Sequence, residues 1–329
     1  MSEKDNSLKI NSNITELHKT IIKNPKDIIK ITELLNSLKS VGTWHIIEPL
    51  KEILEIPNCP IQTQQKILDI LAKIQDPRTI SILSSYLDHN ESKLRNTAIK
   101  SLSLIKNPKI TPYLITATKD EDKWVKIFAV HGLVKNASPK VIQPLIELLG
   151  DPEEEVRKEV IIALNKLKLE NTNDLLIAAL QSENRYIKLG VISLLGSRKV
   201  MESIESLTGL VGTEDRRLDL VICNSLSQIS DPRSLVPLLD RSIEQGEVNN
   251  RYMICIQKMD ETIIPFLIDI YIKGGNERYN ESIEYILSKT SFSTHELILD
   301  TKLKTTDAEI IEKINHLIRT IEKLRDQVK

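Results

Sequence analysis

Leucine recurs along this chain at a fixed step. Advancing 31 residues at a time from Leu83 reaches Leu114, Leu145, Leu176, Leu207 and Leu238. A second series, Leu71, Leu102, Leu133, Leu164, Leu195 and Leu226, keeps the same step and is offset from the first by 12 residues. Eight residues before the second series runs a third, Leu94, Val125, Val156, Ile187 and Leu218, followed four residues on by Ala98, Ala129, Val160, Val191 and Ile222. Spacings of four and eight fall on one helical face. Each period therefore holds two amphipathic helices, and neither can bury its apolar stripe without the next period.

The breaks between helices have their own chemistry. Asn24-Pro25, Asp76-Pro77, Asn107-Pro108, Ser138-Pro139, Asp151-Pro152 and Asp231-Pro232 each set a side-chain acceptor before a proline. This is the pattern of an N-cap followed by a first helical residue that needs no N–H. In the most regular period the pattern predicts one helix over Pro139 to Leu149 and a second from Pro152 to about Leu167, with Glu154 closing a capping box on Asp151. Pro144, and Pro237 three periods on, are expected to kink the helices that contain them.

The edges are less regular. Leu38 and Leu50 precede Leu71 and Leu83 by 33 residues, which places a longer loop near Pro57-Asn58-Cys59-Pro60. Ile14, Leu17, Ile21 and Ile22 predict a short amphipathic helix covering the N-terminal end. The register is lost after Asp240, with irregular periods near Gly246 and Gly274-Gly275. Ile310, Ile314, Leu317, Ile321, Leu324 and Val328 form a heptad seam, read as a cap on the last period or as a seam for a partner helix. The expected organisation is a tail and capping helix over 1–24, a repeat array over 25–273 that is most regular over 63–240, an irregular terminal repeat over 274–305, and an amphipathic helix over 306–329.

Composition narrows the class. Ten Gly, two Trp, seven Tyr and three Phe in 329 residues are too few for the turns and strands of a large β-sandwich. Lys and Arg number 45 against 46 Asp and Glu, a net charge of -1, so no general polyanion surface is expected and nucleic acid is not the expected partner. Apolar runs such as Leu175–Leu180 are far shorter than the roughly 20 residues of a membrane span. No basic start with an apolar core behind it marks a secretory signal, so the expected location is the cytoplasm. Cys59, Cys223 and Cys255 form no CxxC pair and read as reduced, buried thiols.

The stretch from Pro144 to Val160, PLIELLGDPEEEVRKEV, resembles a HEAT repeat of the short kind also found in phycobilin lyases. The resemblance covers about residues 25–273. It implies an all-α fold: a right-handed α-α superhelix, a HEAT-like α-solenoid, of about eight or nine two-helix repeats. It also implies a ladder of charges tying neighbouring repeats, with acids Asp120 and Asp151 and bases Arg95, Lys126, Arg157 and Lys188. Asp219 takes the basic position in its repeat, and the ladder is expected to stop there.

No GxGxxG, GxxxxGK, HExxH or GxSxG motif is present, and no cofactor is expected. Deoxyhypusine hydroxylase, a HEAT-like enzyme, holds iron through repeated His-Glu pairs, whereas this chain has one, His295-Glu296. The six histidines show no ligand spacing, and no metal is assigned. Cys223 sits where other repeats have Ile99, Val130, Ile161 and Ile192, a core position. The candidate site is aromatic where its repeat mates are polar. Trp124 replaces Lys93, Glu155 and Arg217, and Phe128, one turn on, replaces Thr97 and Glu159. Tyr186 repeats the Trp124 position, His131 follows Phe128, and Lys123, Arg185 and Arg216 flank them. Aromatic residues dominate binding hot spots, so the expected function is a non-catalytic scaffold or adaptor that binds a protein partner through the concave surface. The alternative is a phycobilin-lyase-like enzyme or chaperone acting on a tetrapyrrole carrier.

Overall fold

The computed structural model describes residues 3–39, 44–246, 250–274, 277–290 and 293–327. Gly275 and Val328 lie outside the described residues. Every regular element among the described residues is helical, and the chain divides into two units, Met1–Glu170 and Asn171–Lys329.

The first unit holds α1 (Glu3–Lys23), α2 (Ile28–Lys39), α3 (Ile47–Leu54), α4 (Ile61–Ile74), α5 (Arg78–Ser85), α6 (Ser92–Leu104), α7 (Thr111–Ala117), α8 (Lys123–Lys135), α9 (Ile142–Leu148) and α10 (Glu154–Lys166). The second holds α11 (Thr172–Ala179), α12 (Arg185–Ser197), α13 (Ile204–Thr208), α14 (Arg216–Ile229), α15 (Leu235–Gln245), α16 (Arg251–Gln257), α17 (Ile264–Lys273), α18 (Glu277–Lys289), α19 (Ser293–Leu303) and α20 (Ala308–Asp326). Within each unit the helices pair in sequence. The second helices stack directly on one another, α2-α4-α6-α8-α10 in the first unit and α12-α14-α16-α18-α20 in the second. The fold is an α-solenoid, with five helix pairs in each unit among the described residues.

The leucine periodicity is the core. All twelve leucines of the two main series are fully buried, as are Ala98, Ala129, Val160, Val191 and Ile222. Ile187 is half-buried. At about 25 cal/mol per Å² of apolar surface removed from water, such rows are the main favourable contribution to the fold, and they work only because each helix meets the next pair.

The first helix of a pair differs from expectation. Pro139–Val141 is a separate 3-10 turn, and α9 starts afresh at Ile142. The same break occurs at Pro108–Ile110 and Pro232–Ser234. Pro144 and Pro237 therefore lie in the first turn of α9 and α15, and do not kink them. An α-helix continuous from Pro139 would bring the Pro144 ring against the Lys140 carbonyl and lose a hydrogen bond. Restarting the helix puts the proline where an N–H has no intrahelical acceptor in any case.

The predicted caps also shift. Asp151 does not cap α10: the residue before the helix is Glu153, without a side-chain bond, and there is no capping box. Helix α2 begins after Asp27, whose Oδ1 accepts from the Lys30 N–H, rather than at Asn24-Pro25. Helix α1 is longer than expected. It buries Leu17 and Ile21 but leaves Ile22 exposed. At the other end α20 takes the second-helix position of the last pair. It buries Ile314, Leu317 and Ile321 beside α18 and α19, and the Arg325 guanidinium donates to the Thr290 carbonyl at 3.0 Å.

Candidate functional site

The aromatic positions lie on the second-helix rows. Asp122 caps α8 by accepting from the Trp124 N–H at 2.7 Å, which fixes Trp124 in the first turn. Trp124 is 53% exposed, with the Lys123 ammonium 5.8 Å from its ring centroid. Phe128, one turn on, is half-buried. Its ring has Lys100 of α6 6.0 Å from the centroid and meets the His131 ring edge-on at 6.4 Å. His131 is exposed, with Nε2 3.0 Å from Glu159 of α10. Lys123 pairs with Glu155 at 3.0 Å. That bond raises the lysine's pKa, while a backbone N–H and then Lys123 lower that of Glu155. Trp124, Phe128 and His131 thus share one face of α8, flanked by cations of which Lys123 is already partly neutralised.

In the second unit, Asn184 caps α12 by accepting from the N–H groups of Tyr186 and Ile187, and Tyr186 is 40% exposed. Arg185 is tied to Asp215, with Nη2 2.9 Å from Oδ1. The guanidinium and the N–H groups at the start of α14 hold the Asp215 carboxyl down to about 2. Arg216 is exposed, and no ion pair engages it among the described residues. The sequence also gave no reason to single out Trp44. It is 53% exposed, stacks on His45 at 3.6 Å, and has the Arg78 guanidinium 5.0 Å from its ring centroid.

An exposed tryptophan reports its own environment. With Trp44 replaced by Phe, Trp124 emission is expected to be red-shifted and readily quenched by acrylamide. A blue-shifted, shielded emission would show that the indole is buried.

The charged positions make two kinds of bridge. Arg95 of α6 spans to the next pair, Nε to Asp120 Oδ2 at 2.9 Å, and Lys126 of α8 reaches Asp151 Oδ2 at 2.6 Å. Each acid also accepts the N–H two residues on, Asp122 or Glu153, so the carboxylate that receives the base also shapes the turn. Arg157 binds the carbonyls of Asp151 and Pro152 in its own turn, and no ion pair engages Lys188 among the described residues.

At Asp219 the cross-link reverses where it was expected to stop. The fully buried carboxylate sits on the second helix, and the base comes from the following pair. Asp219 Oδ2 accepts from Arg251 Nη1 and from the Tyr252 hydroxyl, both at 2.9 Å, and Oδ1 accepts from the Gly212 N–H at 2.8 Å. Gly212 has φ +83°, a turn that suits glycine and aims this N–H inward. The signal in the sequence was weak, because Arg251 and Tyr252 lie beyond the point where the 31-residue register fails.

Burial first, and the bond to Asp219 second, push the Tyr252 phenol up to about 12. A folded-state pKa above the free value of ~10 means the neutral phenol stabilises the fold below pH ~10, and this contribution is lost as pH rises through about 12. An ultraviolet titration of Tyr252→Phe is expected to lack one late-ionising phenol; an unchanged set of late tyrosines would contradict the geometry.

Among the described residues no group of three or more His, Cys, Asp and Glu is arranged to hold a metal ion. All three cysteines are buried. Burial pushes the Cys59 thiol up to about 11, and Cys255 Sγ donates to the Cys223 carbonyl at 2.8 Å. No helix among the described residues is long and apolar enough to cross a membrane.

A family model described as HEAT repeats matches residues 47–122, 111–177 and 172–248. No curated protein matches the chain. Among solved structures, a chain of a Kap95p–RanGDP complex aligns over 93% of this chain and 52% of its own length, at 12% identity and TM-score 0.53. The complex of CpcE and CpcF of phycocyanin lyase, from a Nostoc species, aligns over 75% of this chain and 93% of its own, at 14% identity and TM-score 0.38. Human deoxyhypusine hydroxylase aligns over 88% and 98%, at 16% identity and TM-score 0.36. At these identities the likeness is one of fold.

Proposed function

The chain belongs to the HEAT-repeat family, and from that premise we propose that it is a scaffold or adaptor that holds another protein against its second-helix surface, the side expected to be concave. The observation that carries this reading is Trp124. A large aromatic side chain half in solvent, at a position where neighbouring repeats place Lys, Glu or Arg, contributes little to the core and has most to gain by burial against a partner. Phe128 extends the apolar patch by one turn. Lys100 and Lys123 at its rim would set orientation and association rate more than affinity.

Tyr186 and Arg216 offer the same chemistry on the second-helix row of the second unit. In this reading Lys123 and Arg185 act with their acidic neighbours and present mixed charge, so specificity comes from the pattern of signs.

The test compares wild type, Trp124→Ala and Trp124→Ala with Phe128→Ala as baits in the native cell. Identified partners are then measured with purified components. Helicity and melting temperature are expected to be unchanged, since Trp124 is not a core residue, and affinity to drop by about 2 kcal/mol or more for a hot-spot tryptophan. Partners that bind the double variant as tightly as wild type would place the interface elsewhere.

A further inference from the structure

The two edges of the first unit carry opposite charge. The connections from second to first helices, at 73–79, 104–110, 135–141 and 166–170, hold eight Lys or Arg against two acids. Those on the opposite edge, at 55–60, 86–93, 117–123 and 148–155, hold ten acids against three bases. On the acidic edge the charges have internal work, as the pairs of Asp120 and Asp151 show. On the basic edge Arg78 pairs with Asp76 at 2.7 Å, but the lysines of the next two connections have no such work. Lys106, Lys109, Lys135 and Lys140 are exposed, and none is paired with a carboxylate among the described residues.

Three of these lysines surround a groove. It has a volume of about 950 Å³ and lies between the start of α7 and the connection from α8 to α9. Pro108, Pro112 and Ile115 supply an apolar floor, and Lys106, Lys135 and Lys140 stand around it. Two successive repeats build it, so it exists only once they stack. Lys135 Nζ donates to the Leu104 carbonyl at 2.5 Å, which holds that ammonium at the groove. Thr111 and Ser138 add two hydroxyls for which no hydrogen bond is seen among the described residues. No acidic residue lines the groove.

We propose that this groove is a docking site for an acidic peptide segment of a partner protein, one that places an apolar side chain on the proline floor and carboxylates against the three lysines. The charge complementarity is one-sided: three uncompensated cations over an apolar base match a chain that is acidic and carries an apolar anchor. The lining lacks the aromatic side chains and arginines on which nucleic-acid bases stack. The size is that of pockets that bury small ligands or a few side chains. This site is separate from the Trp124 surface and does not depend on it.

The experiment uses the full chain and a fluorescein-labelled peptide with one leucine flanked on both sides by glutamates, read by anisotropy. Saturable binding that weakens with added salt is expected, and weaker binding when the leucine is replaced by serine. Lys106→Glu, Lys135→Glu and Lys140→Glu together are expected to reduce affinity on the order of tenfold or more. Ala137→Trp, which fills the groove without changing its charge, should also abolish binding. Lys166→Glu with Lys168→Glu, on the same edge but outside the groove, should leave affinity within about twofold if the site is local. Circular dichroism checks that each variant keeps its helicity. The proposal is overturned if the groove variants bind the peptide as wild type does, or if the Lys166 and Lys168 reversals weaken it equally. Displacement of the peptide by oligothymidylate at equal or better affinity would make the groove a nucleic-acid site. Salt-sensitive self-association without peptide binding would make it a contact between copies of this chain.

Discussion

Asp219→Ala is expected to destabilise the second unit by about 3 to 5 kcal/mol, the cost of removing one partner from a buried ion pair. The carboxylate is buried and satisfies three donors on two segments, the turn at Gly212 and the start of α16. Without it the Gly212 N–H and the Tyr252 hydroxyl lose their acceptor, and Arg251 loses its counter-charge. A quarter of the Arg251 side chain reaches solvent, so its guanidinium can recover some hydration, whereas the buried Tyr252 hydroxyl cannot. Asp219→Asn, which keeps an acceptor, should therefore be milder than Asp219→Ala. Since solenoids unfold by neighbouring repeats rather than strictly all at once, the measurement is urea denaturation combined with amide exchange. The loss of protection should centre on α14 and α16. A midpoint shift no larger than that of an ordinary surface substitution, about 0.5 kcal/mol, would mean that the cluster does not hold these repeats together.

Gly196→Val should have a comparable effect for a steric reason. A Cβ on Gly196 would lie 2.6 Å from the Ser225 Cα and 2.7 Å from its Cβ and Oγ. The obstacle is backbone, so no rotamer change relieves it, and α12 and α14 must separate. Separation also breaks the bond from Ser225 Oγ to the Ile192 carbonyl, 2.8 Å long and buried. Overpacking of this kind costs typically 1 to 3 kcal/mol, and more where a buried hydrogen bond is lost as well. Gly209→Ala is the control: its Cβ would meet nothing closer than 3.4 Å, and its φ of -63° suits alanine. That substitution should be neutral or stabilising by a few tenths of a kcal/mol up to about 1. Equal melting temperatures for the two variants would refute the close approach.

The two cases differ in how far the sequence foretells them. Nothing in the chain marks Gly196 as a contact, because its repeat mates Asn165 and Ser227 are polar and the near approach depends on the distance between two helix axes. Asp219 was visible as an exception in the basic column. Its partners were not, because the 31-residue count no longer locates residues after Asp240. The prolines show the same limit at shorter range. The spacing of Pro139 and Pro144 cannot be met by one unbroken helix, yet whether the chain kinks or restarts depends on how the preceding turn packs.

What the sequence determined by itself is the row of buried positions. A fixed step and a helical phase identify which side chains face inward, and the rows of Leu83 and Leu71 are buried along their whole length. That follows because hydrophobic burial depends on period and phase, both of which are local. The phase likewise placed Trp124 outside the core. What only the tertiary structure decided is which polar groups meet: Arg95 with Asp120, Arg251 and Tyr252 with Asp219, and three lysines from two repeats around one groove. Hydrogen bonds and ion pairs depend on distance and angle to within fractions of an ångström, and those are set by the stacking of one repeat on the next.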